Sequence, residues 1–216
     1  MHRNYKLLLH MTMILMSLSR LCEVANGQVN DQKCGFFTGD KGIEVCNEAI
    51  RLNPQDPDLY HFRGLIWVSN GKFNPALADF NKSLKLNPFD AGTYYIRGLL
   101  FYDKNEIDRA IADFNEVIRL NPKINPSIAE VYYYRGKAFY SKGKSDRAIM
   151  DYDEAIRLDP LYANAYFNRG KYWENKGDLA QALTDFRNFS RLNPNDPEGP
   201  RSIQRIENKI DAKKVR

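Results

Sequence analysis

Histidine, cysteine and tryptophan are scarce in this chain, whose 216 residues hold three, three and two of them. The histidines stand at positions 2, 10 and 61, too few and too scattered for a histidine-based metal site, and no His-Glu metal motif is present. A Ser-His-Asp or Cys-His site meets the same shortage, because only His61 is remote from the N-terminus. A glycine-rich phosphate loop and a nucleophile elbow are also missing. Three cysteines exclude a disulfide-dense miniature fold, and 13 Gly with 10 Pro exclude collagen-like and low-complexity chains. Charge of one sign is not concentrated. The 32 Lys and Arg against 27 Asp and Glu give +5, spread along the chain rather than gathered into the patch that nucleic acid requires. The composition therefore assigns no catalytic residue, no metal, no cofactor and no nucleic-acid partner.

The N-terminus reads as a targeting segment. Arg3 and Lys6 precede an apolar run from Leu7 to Leu18, and Ala25-Asn26-Gly27 supplies small residues for cleavage before Gln28. The run is shorter than the roughly 20 residues of a membrane span. Cys22 follows Leu21, which is too large for a lipoprotein box. Cleavage after Gly27 is the expectation, with retention as an anchor the alternative. Removing residues 1–27 takes Arg3, Lys6, Arg20 and Glu23, and leaves 29 positive residues against 26 negative ones. Cys34 and Cys46 then remain, and an even pair in an exported chain reads as a disulfide. In a cytosolic chain the same pair would be two reduced thiols.

Self-similarity organises everything downstream. The dipeptide Arg-Gly recurs at Arg63-Gly64, Arg97-Gly98, Arg135-Gly136 and Arg169-Gly170, in steps of 34, 38 and 34 along the numbering. The longer step contains Asn125-Pro126-Ser127-Ile128, an insertion. A second landmark runs Ala76 to Phe80, Ala110 to Phe114, Ala148 to Tyr152 and Ala182 to Phe186. A third, Leu-Asn/Asp-Pro, ends at Pro54, Pro88, Pro122, Pro160 and Pro194. Each unit reads as two helices. Tyr132, Gly136 and Phe139 share one helical face, and breaks follow at Gly71, Asn105, Gly143 and Gly177, residues suited to a left-handed helix terminus. The next helix, from near Ala148 to Leu158 in the third unit, stops before Pro160. Gly64, Gly98, Gly136 and Gly170 are expected to admit a neighbouring backbone, as are Ala76, Ala110, Ala148 and Ala182, while Trp67, Phe101, Phe139 and Trp173 fill the remaining space.

Four copies agreeing in period, glycine, alanine, aromatic and proline positions resemble the tetratricopeptide repeat over about residues 40–196. The resemblance implies an all-α fold, a right-handed superhelical solenoid of helical hairpins with a concave inner surface. The expected parts are a signal over 1–27, a partial repeat over 28–56, repeats over 57–90, 91–124, 129–162 and 163–196 with the insertion 125–128 between them, and a capping helix or tail over 197–216. Ile203, Ile206 and Ile210 give that last segment an apolar stripe to cover the end of the array, a partner-binding tail being the alternative. Phe189 departs from the pattern, where a small residue is usual. The stretch from Cys34 to Cys46 would staple the opening, worth about 3 kcal/mol in the loop-entropy account. This cysteine-bracketed opening also resembles exported repeat proteins of α-proteobacteria, which favours a periplasmic or secreted location.

Every full repeat sets an Arg at one fixed distance before an Asp: Arg63 and Asp79, Arg97 and Asp113, Arg135 and Asp151, Arg169 and Asp185. Interhelix salt bridges are expected there, independently solvated charges being the other possibility. The sequons at Asn81 and Asn188 fall inside helices and read as coincidence. The resemblance also implies a groove lined by the first helices, which places His61, Leu65, Val68, Tyr95, Leu99, Tyr102, Tyr133, Lys137, Tyr140, Phe167 and Lys171 along it. Such a surface is aromatic and apolar at one end and cationic at the other, suited to a peptide or protein segment with an acidic stretch. His61, Leu65, Tyr95 and Leu99 do not supply the Lys and Asn set of the family's chaperone-tail clamps, so that partner class is rejected. The expected role is a non-enzymatic interaction scaffold in a bacterial envelope. The alternative is a self-associating protein whose groove takes its own chain or a second copy.

Overall fold

Helix boundaries follow the chain's own punctuation. The computed structural model describes residues 38–120 and 127–214, so the expected signal over 1–27, Cys34 and residues 125–126 of the insertion lie outside it. Ten helices and no strand occupy the described residues: α1 Gly39–Leu52, α2 Pro57–Ser69, α3 Phe73–Leu86, α4 Ala91–Asp103, α5 Ile107–Leu120, α6 Ile128–Ser141, α7 Ser145–Leu158, α8 Ala163–Lys176, α9 Leu179–Leu192 and α10 Glu198–Lys214. The carboxylates of Asp56, Asp90 and Asp178 accept backbone N–H groups at the starts of α2, α4 and α9, which satisfies donors that a helix leaves open. Between paired helices the chain turns through positive φ at Gly71, Asn105, Gly143 and Gly177, with values of 62° to 82°. Asn105 is the non-glycine among them, and asparagine tolerates this region better than most side chains. The second helix of the third repeat starts at Ser145, a turn before the expected Ala148.

The chain divides into two compact units, residues 1–116 and 117–216, with the boundary inside α5. In unit 1, α2 pairs with α3 and α4 with the first part of α5, each long apolar face meeting its partner. α1 closes one end: Ile43, Cys46 and Ala49 pack with Leu59 and Ile66 of α2, and Ile50, Phe62 and Trp67 border the cluster. In unit 2, α6 pairs with α7 and α8 with α9. α10 covers the far end through Ile206, which is fully buried against Ala182 and Phe186, with Ile203 and Ile210 beside it. Phe189 occupies the place where Ser83 and Ala155 stand in other repeats. Its ring is buried 4.8 Å from that of Phe167, so the larger residue packs against α8. α10 is also held by charge, with Arg205 and Lys209 both donating to Glu174 of α8, at 2.9 and 2.7 Å. Arg187 of α9 donates to Glu207 at 3.0 Å.

Candidate functional site

The Arg–Asp recurrence is a paired hydrogen bond in every repeat. Arg63 donates through Nε and Nη2 to Asp79 at 2.7 and 2.6 Å, and Arg97 to Asp113 at 2.8 and 2.7 Å. In unit 2, Arg135 reaches Asp151 at 2.9 and 2.6 Å, and Arg169 reaches Asp185 at 2.9 and 2.7 Å. All four carboxylates are buried. Burial pushes Asp113, Asp151 and Asp185 above the ordinary carboxylate value, against the hydrogen bonds of their arginines. A further N–H of the guanidinium looks the other way. Arg63 donates Nη1 to Asn47 of α1, Arg97 to Asn81 of α3 and Arg169 to Asp153 of α7, each at 2.7 Å. One arginine therefore ties its own hairpin to the preceding second helix. This upstream acceptor stands as far before its arginine as the aspartate stands after it, a periodicity that sequence reasoning missed. At Asn81 it is also the sequon asparagine.

The recurrent glycine has a different partner from the expected backbone. A Cβ on Gly64 would lie 2.5 Å from the Phe80 ring, and one on Gly136 would lie 2.8 Å from Tyr152. The rings of Phe80, Phe114, Tyr152 and Phe186 cross the first helix at its glycine. A second ring meets each of them: His61 at 6.0 Å, Tyr95 at 6.3 Å, Tyr133 at 6.2 Å and Phe167 at 5.7 Å between centroids. These are four candidate groove residues, and all four take part in the packing of their hairpins.

That packing corrects the expected groove in unit 1. Leu65, Val68, Tyr95 and Leu99 are at most 3% exposed, and they present no surface to a partner. His61 sits in an aromatic slot, with Nδ1 against Thr93 Oγ1 at 2.5 Å, and the Thr93 hydroxyl donates to Asp90. The threonine oxygen must then accept from a protonated Nδ1. Burial pushes His61 below the usual imidazole range, against the pull of Asp90 and Asp58, so the neutral ring is a link between α2 and α4. Tyr102 remains half-buried at the end of α4.

Unit 2 is built otherwise. Tyr140 is 38% exposed, Lys171 is exposed, and Lys137 and Phe167 are half-buried. Lys137 Nζ lies 5.5 Å and 5.1 Å from the ring centres of Tyr133 and Tyr134, and Lys171 Nζ lies 5.8 Å from that of Phe167. Rings beneath an ammonium attract it and hold its stem down. Two asparagines, unread in the sequence, join α8 to α6. Asn168 donates Nδ2 to the Tyr133 hydroxyl at 3.2 Å, and Asn175 donates to the Tyr140 hydroxyl at 2.9 Å. Tyr133 is itself buried, with Tyr162 5.1 Å away between ring centres. The face thus offers cations, aromatic edges and oriented amides, groups that bind a polypeptide by charge, contact area and hydrogen bonding. Among the described residues no cluster of His, Cys, Asp and Glu is placed to hold a metal ion, and no helix is long and apolar enough to cross a membrane.

Known proteins with this arrangement agree. The profile described as TPR repeat matches residues 136–175, and that described as Tetratricopeptide repeat matches residues 63–125 and 95–153. The crystal structure of MamA is 26% identical with a TM-score of 0.66, covering 72% of this chain and 88% of that one. YrrB, described as a TPR protein with an unusual peptide-binding site, has a TM-score of 0.66 at 21% identity, over 78% of this chain and 85% of its own. PilF of Pseudomonas aeruginosa has a TM-score of 0.71 at 10% identity, over 98% and 87%. No curated protein matches the sequence. The narrower likeness to exported α-proteobacterial repeat proteins is not shown by these matches. Period, paired helices and the profile matches together establish that the chain belongs to the tetratricopeptide repeat family, an all-α solenoid of the kind that scaffolds protein–protein interaction.

Proposed function

We propose that this protein is an exported scaffold without enzymatic activity, which holds a segment of another polypeptide on the inner faces of its first helices. The observation that carries the reading is the face formed by α6 and α8. Its lysines, tyrosine edge and asparagine amides stay accessible although the hairpins are fully packed without them. YrrB, whose description names a peptide-binding site, lends the family precedent. The charged, apolar and small-residue order of residues 1–27 supports export to the periplasm or beyond. Cys34 and Cys46, the even pair that remains after residue 27, support a staple in an oxidising compartment.

The test is a photo-crosslinking residue in place of Tyr140 in the native host, with exposed Lys144 as the control position. A distinct polypeptide captured at 140 and absent at 144 is the expected result. Equal labelling at both positions would remove the inner face as the working surface. Capture of this chain alone would replace the scaffold by self-association.

A further inference from the structure

We propose that the outer face of α7 is a contact between two copies of this chain, which pair about a two-fold axis as a weak dimer. Met150 of each copy then lies against Leu161 of the other, and Glu154 against Arg157. None of these residues belongs to the α6–α8 face, so the inference goes beyond the inner-face reading and does not rest on it.

Exposure points to the patch. Among the described residues of unit 2, the large apolar side chains that stand in solvent, besides Tyr140, are Met150, Leu158 and Leu161, at 68%, 42% and 70%. Met150, Glu154, Arg157 and Leu158 follow at i, i+4, i+7 and i+8 and so share one face of α7. Leu161 extends that face past the helix end, on a turn that is tied in place. Its N–H donates to Asp159 Oδ1 at 3.0 Å, the Tyr162 N–H to the Asp159 carbonyl at 3.0 Å, and the Tyr166 hydroxyl to the Pro160 carbonyl at 3.3 Å. A leucine fixed in water gives up contact that a partner restores. Of the charges nearby, Asp153 is engaged by Arg169 at 2.7 Å, and Arg147 lies over the Phe139 ring at 5.6 Å. Glu154 and Arg157 pair with each other at 2.6 Å.

The occupant follows from the order of these residues. A two-fold axis midway between positions 154 and 157 runs the two helices antiparallel and sets equidistant positions against each other. Met150 stands four residues before Glu154 and Leu161 four after Arg157, so both ends of the contact are apolar against apolar. In the middle each Glu154 meets an arginine, and two intrachain pairs merge into one network of alternating charge. Such self-complementarity is what an isologous contact requires. The other second helices lack it. The same axis on α3 sets Lys82 against Lys85, on α9 it sets Thr184 against Asn195, and on α1 Glu44 against Gln55, while α5 has Ala112 where α7 has Met150. Those hairpins close with small, polar or charged residues at these places, so packing within the chain does not call for Met150 or Leu161. One helix and one turn from each copy make a small contact, which places the dimer in the weak, transient class.

Sedimentation velocity over a dilution series of the full chain, purified from its native host, tests this directly. A monomer–dimer equilibrium is expected. Leu161→Asp and Met150→Asp should each weaken it about tenfold or more, because every substitution enters a two-fold contact twice. Charge reversal is the more specific arm. Glu154→Arg sets cation against cation and Arg157→Glu sets acid against acid, so each variant chain should stay monomeric by itself. An equimolar mixture of the two should pair again, one copy offering only cations at the centre and the other only carboxylates. Circular dichroism checks that each variant is folded, and renewed pairing in the mixture excludes misfolding as the cause of the losses. A monomer at every concentration would overturn the proposal. An oligomer indifferent to all four substitutions, or reversal variants that stay apart when mixed, would do the same. Binding of a persistently monomeric chain to phosphatidylglycerol vesicles, lost with Leu161→Asp, would assign the patch to a membrane surface instead. Capture of a distinct polypeptide at position 140 is expected whichever of these results is found, so failure of the dimer leaves the inner-face reading standing.

Discussion

Replacing Arg97 by Met is the sharpest test of how the repeats are held. The change keeps an unbranched stem over Tyr94 and Phe101, whose ring centres lie 5.4 and 5.7 Å from the guanidinium carbon. It removes every hydrogen bond to Asp113 and the one to Asn81. Asp113 has a side chain only 6% exposed and would stay charged and buried without a partner. Removing one member of a buried pair costs about 3–5 kcal/mol. The Arg97 side chain is 17% exposed, so water reaches part of the site and the expectation falls to about 2–4 kcal/mol. Against urea slopes of about 1–3 kcal/mol per molar, that moves the unfolding midpoint of unit 1 by about 1–2 M.

The assay is built into the sequence. The chain's two tryptophans, Trp67 and Trp173, fall one in each unit, so fluorescence in a Trp173→Phe background follows unit 1. The exposed pair Arg157–Glu154 in α7 is the control, where Arg157→Met should leave the midpoint essentially unmoved. The pH dependence gives a second check with a definite sign. Without Arg97 only the charge of Arg109 still opposes burial, so Asp113 in the folded protein holds its proton even more tightly than the unfolded carboxyl, whose ordinary value is 3.8. A folded state that binds the extra proton gains stability as pH falls. The deficit of Arg97→Met should therefore be largest at neutral pH and shrink as pH drops towards 4. A midpoint shift no greater than that of Arg157→Met, or a deficit that does not change with pH, would refute the argument.

Three further outcomes follow from the same geometry. Gly64→Ala puts a Cβ 2.5 Å from the Phe80 ring, whereas Gly170→Ala meets Phe186 at 3.0 Å; thermal denaturation should show the first costing about 2–3 kcal/mol and the second distinctly less. Glu174, held mainly by the Arg205 hydrogen bonds, has its carboxyl lowered from 4.5 to about 2, so its contribution is present above pH 4.5 and is lost as pH falls towards 2. Glu174→Gln should cost about 1–2 kcal/mol at pH 7, after discounting for the exposed arginine and lysine, and the Trp173 signal should show the gap to the unaltered protein closing in acid. His61→Phe keeps a ring against Phe80 and removes the titrating group. Because the folded imidazole sits below its ordinary 6.5, the unaltered protein should lose stability as pH falls below that value, and urea titrations of the variant should lack this loss.

The helix plan was legible because its signals are local. Proline after Leu-Asn or Leu-Asp, glycine or asparagine at the turns, and apolar spacing along each helix act over a few residues, and each repeats four times. The Arg–Asp pairs were legible for the same reason, as one offset kept in all four repeats. Their third partner, at the same offset in the other direction, serves Arg63, Arg97 and Arg169 and varies in type, Asn at 47 and 81 and Asp at 153, while Arg119 stands at that place before Arg135, so no single letter marked it. The groove was harder. Position in a repeat says which way a side chain points, while exposure depends on how large the neighbours are. Leu65 and Lys171 occupy related places, and only the packed structure shows that one is sealed and the other open.

That contrast between the units bears on how a repetitive scaffold acquires a site. The ring pair at each glycine is needed wherever a hairpin must close, so His61, Tyr95, Tyr133 and Phe167 are committed to packing before any partner arrives. A binding face can arise only from the register positions left over. Unit 1 uses those positions for buried apolar contacts, which stabilise by about 1.5–3 kcal/mol for each fully buried large side chain. Unit 2 forgoes that gain at 137, 140 and 171, where lysine and tyrosine remain in water. Rings beneath the ammoniums and tyrosine hydroxyls beneath the amides recover part of the loss by orienting these groups. Orientation before binding is also what lowers the entropic cost of capturing a ligand. The residues that weaken unit 2 as a core are thus the ones on which the proposed binding face rests.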